Sequence, residues 1–326
     1  MAKRVFVTGG AGYVGSHCCK AFSQNGWDVV VYDNLSRGWK NFVRWGALIE
    51  GDLLDEERLR AAIASHQPDL VAHFAGLAYV QESVLSPTSY YRTNCLGTLN
   101  LLDAMRAARI PSLLFSSTCA TYGTPIRAPI DESHPQLPIN PYGWSKLMAE
   151  RALFDFDNAY GIRGVALRYF NAAGADLAGE IGERHEPEPH VIPLAIRGAL
   201  QRDYVFTIHG NDYETRDGTA VRDYIHVADL ANAHCLALNY LLDGGKTAPF
   251  NLGTGIGTTV AEIADAVERV SGRTVARKVG LRRPGDPSSL VASFARAREV
   301  FGWSPNYSDI DTIVSTAWRW HTQVGS

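Results

Sequence analysis

The chain has few cysteines and no pattern that would pair them. Its 326 residues include five cysteines, an odd number with no Cys-x-x-Cys spacing. Cysteines with this spacing more often pack as small buried hydrophobic residues than form a disulfide framework or a zinc site. We therefore expect a reduced, cytoplasmic environment.

Long apolar runs and an excess of one charge are also missing. No segment approaches the roughly 20 apolar residues that a membrane-spanning helix needs, which argues against a membrane partner. The formal net charge is −3, with acidic and basic residues interspersed. Without a basic cluster we expect no nucleic-acid partner. Lys3 and Arg4 precede only a short apolar stretch that breaks into glycines, which favours a strand over a signal peptide.

Apolar strand-like runs alternate with helical patterns along the first half of the chain. This alternation predicts an α/β fold, with a Rossmann-like doubly wound parallel sheet covered on both faces. The expected strands are 4–8, 28–32, 47–50, 69–74, 112–117 and 164–169. The expected helices are 94–109, 142–160, 261–270 and 311–320.

The length exceeds what one core usually holds, so we expect two domains. Residues 1–170 are predicted to form the Rossmann domain, to which segments near 222–255 return. Residues 171–326 are predicted to form a smaller α/β C-terminal lobe for substrate. The segment 174–190 lacks periodicity and is rich in Gly, Glu, Pro and His, which is typical of a crossover or a loop over a site.

A glycine-spaced turn follows the first predicted strand. Gly9, Gly12 and Gly15 stand between that strand and a helical pattern, where backbone N–H groups can meet a pyrophosphate. The next apolar strand ends in Asp33, at the distance where a carboxylate accepts hydrogen bonds from an adenosine ribose. A carboxylate there favours NAD because it would repel the 2′-phosphate of NADP, although Arg37 keeps NADP open.

Tyr142 and Lys146 form a Tyr-x-x-x-Lys pair on one face of a predicted helix. A phenol with an ordinary pKa of about 10 is only about one part in a thousand ionised at pH 7. A nearby ammonium and a positive nicotinamide should lower that pKa by roughly 1 to 3 units. Beside a dinucleotide, the pair indicates transfer of a hydride and a proton at a carbinol carbon. Thr118, at the end of a predicted strand, would offer a hydroxyl to the substrate oxygen.

Eight motifs in order carry a family resemblance over nearly the whole chain. They are Thr8–His17, Tyr32–Ser36, His73–Leu77, Ser116–Gly123, Pro141–Lys146, Leu167–Asn171, Val221–His226 and Arg282–Asp286. With them the sequence resembles the extended short-chain dehydrogenases/reductases, and among these the UDP-glucose (UDP-galactose) 4-epimerases of bacterial exopolysaccharide pathways. It is also similar to plant UDP-arabinose 4-epimerases.

The resemblance implies an isomerase that uses NAD and keeps it bound through each cycle. Tyr142 would take the proton of the 4-hydroxyl, Lys146 would also bind the nicotinamide ribose, and Thr118 would relay the proton. The hydride would leave C4 and return on the opposite face of a 4-keto sugar. The implied cofactor contacts are Gly9, Gly12, Tyr13, Val14, Gly15, Asp33, Asn34, Asp52, Leu53, Phe74, Ala75, Asn94, Tyr142, Lys146 and Phe170.

The resemblance also implies a UDP-sugar substrate and a homodimer formed through the helices near 94–109 and 142–160. Arg222 and Arg283 are suited to a diphosphate, and Asp286 to a ribose or sugar hydroxyl. The implied substrate contacts are Thr118, Asn171, His190, Val191, Thr207, His209, Arg222, Tyr224, Arg283, Asp286 and Leu290. Three positions depart from the family pattern, which has a lysine at Ala78, an asparagine at His190 and an aromatic ring at His209.

Several alternatives stay open. Leu290, beside the implied sugar position, is of intermediate size, so UDP-xylose/UDP-arabinose and UDP-N-acetylhexosamines remain possible substrates. A net NAD(P)H-dependent reductase and a noncatalytic cofactor-sensing protein also remain. A sugar-nucleotide dehydratase is disfavoured because Cys119 and Ala120 follow Thr118 where that family has an Asp-Glu pair.

The run from His185 to His190 resembles a set of metal ligands. Its prolines and irregular spacing do not fit a helix-borne site, and hydride transfer needs no zinc. We therefore expect no metal.

Overall fold

In the computed structural model, which describes residues 2–283 and 286–324, the first six strands lie close to the six apolar runs that predict them, and seven further strands without predicted bounds follow. In chain order the strands are β1 Arg4–Thr8, β2 Asp28–Asp33, β3 Ala47–Glu50, β4 Leu70–His73, β5 Ser112–Thr118, β6 Arg163–Tyr169, β7 Asn171–Ala173, β8 Phe206–His209, β9 Val221–His226, β10 Ala248–Leu252, β11 Gly257–Thr259, β12 Arg277–Gly280 and β13 Ser289–Leu290.

A seven-stranded sheet has the order β10-β6-β5-β4-β1-β2-β3. The pairs among β1 to β6 are parallel. The strand order reverses between β1 and β4, and ligands of open α/β sheets gather at the carboxyl ends of the strands at such a point. This confirms the predicted doubly wound, Rossmann-like sheet.

The helices begin and end at recognisable signals. They are α1 Tyr13–Gln24, α2 Glu56–His66, α3 Val80–Leu85, α4 Pro87–Tyr90, α5 Gly97–Ala108, α6 Pro141–Tyr160, α7 Val191–Leu200, α8 Val227–Leu242, α9 Val260–Ser271, α10 Ala295–Phe301 and α11 Ile310–Val324. Asn140 caps α6, with Pro141 in its first turn, and Thr259 with Glu262 forms a capping box on α9. A π-helical segment, Tyr91–Leu96, precedes α5. No helix among the described residues has the length and apolarity to cross a bilayer.

The chain divides into two compact units. The first comprises 1–124, 135–169 and 231–250, and the second comprises 125–134, 170–230 and 251–326. The unit boundary falls between Tyr169 and Phe170. The loop 125–134 belongs to the second unit, which the sequence does not predict, and residues 231–250 belong to the first.

Each unit has its own hydrophobic core. In the first, α2, α5 and α6 cover the large sheet with buried residues such as Leu59, Leu101 and Leu153. In the second, α7, α9 and α11 enclose Ile196, Ile263 and other apolar residues. The second unit also carries β9 paired with β7, β11 and β13, and a separate parallel pair of β8 and β12.

Candidate active site

The glycine turn after β1 leaves no room for a side chain at Gly9 or Gly15. Gly9 has a φ of +75°, and a Cβ on it would lie 2.3 Å from the Ala75 nitrogen. A Cβ on Gly15 would lie 2.2 Å from the Gly9 oxygen. Gly12 occupies the N-cap of α1 without a side-chain hydrogen bond. The turn is thus a backbone cradle at a helix N-terminus, which fits the pyrophosphate of a dinucleotide.

Asp33 ends β2 beside this turn. Its carboxylate accepts hydrogen bonds from the Ala11 nitrogen at 3.0 Å and the Leu35 nitrogen at 2.8 Å. Burial raises the pKa of Asp33, although both backbone hydrogen bonds oppose the shift. Because a carboxylate has further lone pairs, it can also accept from ribose hydroxyls. The side chain therefore orders the turn as well as offering a ribose contact.

Other predicted cofactor residues surround the same strand ends. Asn34 donates to the Asp52 carboxylate at 2.8 Å, and the nitrogen of Phe74 donates to the Thr8 oxygen at 2.8 Å. Arg37 forms an ion pair with Glu82 at 2.6 Å, so its guanidinium already has an acidic partner in this structure.

Asn94 holds the loop after β4. Its amide exchanges hydrogen bonds with the backbone of Leu77, at 2.8 Å and 2.9 Å, and donates to Ser145 on α6 at 3.0 Å. Leu53 is buried, and its oxygen accepts from Asn100 at 3.0 Å. These two positions have well-defined structural partners, and their predicted contacts with a cofactor stay predictions.

Thr118 and Tyr142 meet at the carboxyl end of β5. The Thr118 hydroxyl lies near enough to the Tyr142 phenol to oppose the rise of the phenol's pKa with burial, and it accepts from the Ala120 nitrogen at 3.1 Å. Gly143 lets the first turn of α6 lie against Ala120, because a Cβ at this position would be 2.5 Å from the Ala120 oxygen. The pairing of a hydroxyl with a phenol makes a short relay for a proton.

Lys146 lies one helical turn beyond Tyr142 and is 5% exposed. Its Nζ donates to the Ser116 oxygen at 2.9 Å and lies 4.9 Å from the centre of the Phe115 ring. Burial lowers the pKa of Lys146 to about 8, while the charge of Glu150 opposes this shift. At pH 7 about nine tenths of the side chain is therefore still charged.

Burial dominates the pKa of Tyr142 in the folded chain. Burial raises that pKa to about 12, although the hydrogen bond with Thr118 lowers it. Part of the residue stays exposed, yet the phenol is surrounded by protein. The phenol is therefore protonated at pH 7 in this structure. The Lys146 ammonium donates to the Ser116 oxygen, and the expected lowering of the Tyr142 pKa by this ammonium together with a nicotinamide stays a prediction.

A buried ion pair behind Lys146 is a feature that the sequence analysis missed. The Arg168 guanidinium contacts the Glu150 carboxylate at 2.6 Å, with 3% and 1% of the two side chains exposed. Ser117 also donates to Glu150, and Arg168 donates to the Tyr122 hydroxyl at 3.0 Å. The spacing of four residues between Lys146 and Glu150 on α6 is the one signal in the sequence that places Glu150 near the site.

In the second unit, Arg222 and Asp286 are brought together as an ion pair. Arg222 lies on β9 and is 8% exposed. The buried Tyr224 hydroxyl and the Arg283 Nε have no hydrogen-bond partner among residues 2–283 and 286–324. Buried polar atoms are rarely left unsatisfied, so this cluster has capacity for a polar ligand. Pro284 and Gly285 of the same motif lie outside the described residues.

Tyr213 is a further member of this cluster that the sequence analysis did not identify. Its buried hydroxyl also has no hydrogen-bond partner in the described part of the chain, and the Arg282 guanidinium lies 4.1 Å from its ring centre. Burial and the charge of Asp286 raise its pKa, while Arg222 opposes the shift. No sequence motif marks it, because it is placed by a loop.

The remaining predicted substrate residues of this unit occupy defined positions on its elements. Asn171 pairs with Tyr224 and Leu290 with Arg222, while Thr207 and His209 lie on β8. His190 is the N-cap of α7 and Val191 its first residue. Phe170, predicted to contact the cofactor, belongs to this second unit. The individual contacts of these residues with ligands stay predictions.

Comparison with known proteins gives consistent matches. The model of the NAD dependent epimerase/dehydratase family matches residues 5–253. A UDP-glucose 4-epimerase of Rhizobium meliloti is 53% identical over 319 residues, which cover 98% of this chain and 97% of that protein.

Solved structures match over nearly the full length. The crystal structure of UDP-glucose 4-epimerase from Brucella ovis in complex with NAD is 52% identical, covers 97% of both chains and has a TM-score of 0.94. The enzyme from Bifidobacterium longum, in complex with NAD+ and UDP, is 35% identical, covers 98% of both chains and has a TM-score of 0.93.

Proposed function

Because the chain belongs to the NAD dependent epimerase/dehydratase family, we propose that it inverts C4 of a UDP-hexose and so interconverts UDP-glucose and UDP-galactose. The observation that carries the proposal is the placement of Thr118 beside Tyr142 at the end of β5, with the buried Lys146 one helical turn away. These three groups are suited to removing and returning the proton of a sugar hydroxyl.

The glycine turn and Asp33 would hold the cofactor. Gly9, Gly12 and Gly15 would receive the pyrophosphate, and the Asp33 carboxylate would accept from the adenosine ribose. When bound, NAD supplies the acceptor for the C4 hydride and a positive ring whose charge favours the Tyr142 phenolate.

Tyr142 would act as the base and later as the acid. A pKa of about 12 means that only about one phenol in 100,000 is ionised at pH 7. Additional positive charge near the phenol is therefore a requirement of the mechanism. The phenolate then takes the proton of the 4-hydroxyl through the Thr118 hydroxyl, and the phenol returns it when C4 is reduced on its opposite face.

The buried cluster of the second unit would bind the nucleotide diphosphate. Arg222 and Arg283 are the cations, and phosphate oxygens would satisfy the Arg283 Nε that has no partner among the described residues. Tyr224 could donate to the same oxygens. Asp286, which is paired with Arg222, would orient that guanidinium and accept from a hydroxyl of the ligand.

The assay is conversion of UDP-galactose by purified protein without added NAD, with chromatographic separation of the UDP-sugars. UDP-glucose should form, and Tyr142→Phe should lower kcat by roughly 100- to 10,000-fold. Tyr160→Phe is the matched control, because Tyr160 lies on the same helix with 54% of its surface exposed. Failure of the unmodified protein to convert the sugar, even with added NAD, would contradict the proposal.

UDP-xylose and UDP-N-acetylglucosamine, tested in parallel, address the other epimerase substrates. Leu290 pairs with Arg222 on β9. The size of its side chain therefore limits the space beside the proposed diphosphate cluster of Arg222, Arg283, Tyr224 and Asp286. Faster conversion of UDP-xylose than of UDP-galactose would replace the hexose by the pentose as substrate. Consumption of one NAD(P)H per turnover would indicate a net reductase, and absence of any turnover would favour a cofactor-sensing protein.

We also propose a homodimer in the cytoplasm. The helices implicated by the family carry exposed apolar side chains, with Trp144 40%, Met148 44% and Leu96 42% exposed. All five cysteines are free thiols, which suits a reduced compartment. Light scattering of the purified protein would test the dimer, and charged replacements of Trp144 and Met148 should produce monomers.

A further inference from the structure

Four metal-ligating side chains meet in the irregular segment before α7. They are Glu183, His185, Glu188 and His190, and one ligand atom from each lies within 4.8 Å of all the others. The sequence analysis argued against a metal here because the spacing does not fit one face of a helix. The chain instead gathers these residues by looping back on itself, so helical spacing is not required.

The distances between the four side chains lie near those of a coordination shell. The His185 Nδ1 lies 3.4 Å from a Glu183 oxygen and 3.5 Å from a Glu188 oxygen. The His190 Nδ1 lies 2.6 Å and 3.1 Å from oxygens of the same two carboxylates. Ligands of a tetrahedral ion at about 2.0–2.1 Å stand about 3.3 Å apart, so small side-chain shifts would complete the shell.

The chemistry of the donors selects one class of ion. Two carboxylates neutralise a dication, and imidazole nitrogens favour transition metals such as zinc over calcium or magnesium. We propose that Glu183, His185, Glu188 and His190 bind one divalent transition-metal ion of the zinc class. Four protein ligands fill a tetrahedral shell, so the role is structural.

The surroundings hold the donors in place. Glu183 is 3% exposed, and its backbone oxygen accepts a hydrogen bond from the Trp320 indole on α11 at 2.9 Å. Gly182 lies against the same indole, because a Cβ there would be 2.4 Å from the ring. His190 begins α7 as its N-cap. An ion would therefore tie the segment between α11 and α7.

An entry path is present on the surface of this unit. A depression of about 590 Å³ is lined by Glu183, His185 and Glu188 together with Trp320 and His321. The His190 side chain is 42% exposed, so it can move to admit an ion. The competing interpretation is a set of ion pairs between protonated imidazoles and carboxylates that binds no metal.

The test measures metal binding by protein whose affinity tag has been removed. After treatment with a chelator and removal of the chelator, the protein is titrated with Co²⁺ and then with Zn²⁺. We expect one ion per chain, the intense visible absorption of four-coordinate Co²⁺, and displacement of Co²⁺ by Zn²⁺. Substoichiometric binding, or the weak spectrum of six-coordinate Co²⁺, would overturn the proposal without any variant.

Substitutions among the four side chains test whether they are the metal ligands. Glu183→Gln and His190→Gln should weaken Zn²⁺ binding by more than about 100-fold, because even changes outside the ligand shell cost up to about 100-fold. Glu186→Gln is the matched control, since Glu186 lies between two of the ligands in sequence, its side chain is 68% exposed and it is not one of the four. Equal binding by all three variants would refute the assignment. If a variant fails to fold, as judged by circular dichroism, Glu188→Gln replaces it.

Discussion

Replacing Lys146 by methionine should abolish turnover and at the same time stabilise the fold at neutral pH. Burial lowers the pKa of this side chain from 10.5 to about 8, a difference of about 2.5 units. At about 1.36 kcal/mol per unit, the charged side chain destabilises the folded chain by about 3 kcal/mol. Methionine removes the charge but loses the hydrogen bond to the Ser116 oxygen, worth about 1 kcal/mol. The expected net gain is about 2 kcal/mol.

The pH dependence of this gain has a definite sign. Below about pH 8 the folded and unfolded chains both hold the proton, so the whole cost of the charge is present. Between about pH 8 and 10.5 the folded chain releases the proton while the unfolded chain keeps it, and the stability of the unmodified protein rises. The advantage of Lys146→Met should therefore shrink as the pH rises from 7 to 9.5.

Urea unfolding of the NAD-free proteins at these two pH values measures both effects, with turnover measured separately. Lys40→Met is the control, because the Lys40 side chain is 72% exposed in its ion pair with Glu50. Its stability relative to the unmodified protein should change little between the two pH values. A Lys146→Met protein that is less stable than the unmodified one at pH 7, or a difference that is the same at both pH values, would refute the reasoning.

Two further substitutions test the parts of the first unit that support the site. Glu150→Gln leaves the buried Arg168 without its counter-charge and should lower the free energy of unfolding by about 3–5 kcal/mol. The control Asp311→Asn removes the carboxylate of an exposed ion pair and should lower the free energy of unfolding by about 0–1 kcal/mol. Similar losses in the two proteins would contradict the prediction. Gly15→Ala places a Cβ 2.2 Å from a backbone oxygen and should lower both the free energy of unfolding and the affinity for NAD. Gly12→Ala places its Cβ at 3.4 Å and should have the free energy of unfolding of the unmodified protein. Urea unfolding and fluorescence titration with NADH measure these two quantities, and normal NADH binding by Gly15→Ala would contradict the prediction.

The fold was accessible from sequence because its signals are local. The strand that ends at Thr8, the glycines that follow and the strand that ends in Asp33 are each recognisable within about ten residues, and the structure places them as β1, the turn and β2. The loss of helical and strand periodicity after Asn171 is also a local signal, and the boundary between the two units lies nearby, after Tyr169. The loop 125–134 could not be assigned to its unit, because its contacts are with residues more than 100 positions away, such as the bond from Asn251 to the Ile130 oxygen at 2.9 Å.

The candidate site was only partly predictable. Thr118, Tyr142 and Lys146 were identified from residue type and spacing, and the structure places Thr118 close to the Tyr142 phenol. The partners of these residues were not identified: Arg168 reaches Glu150 from a different element, and Tyr213 reaches the diphosphate cluster from a loop. Neither contact leaves a periodic trace in the sequence.

Sequence alone indicated the first six strands, the glycine turn between β1 and α1, and the chemical types of the predicted catalytic residues. These depend on backbone preferences and spacings that act between near neighbours. Only the tertiary structure decided that burial raises the pKa of Tyr142, that Lys146 is held by Ser116, and that Glu183 and Glu188 alternate with two histidines around one point. Desolvation and pairing are decided by atoms from separate elements, and only folding brings those atoms together.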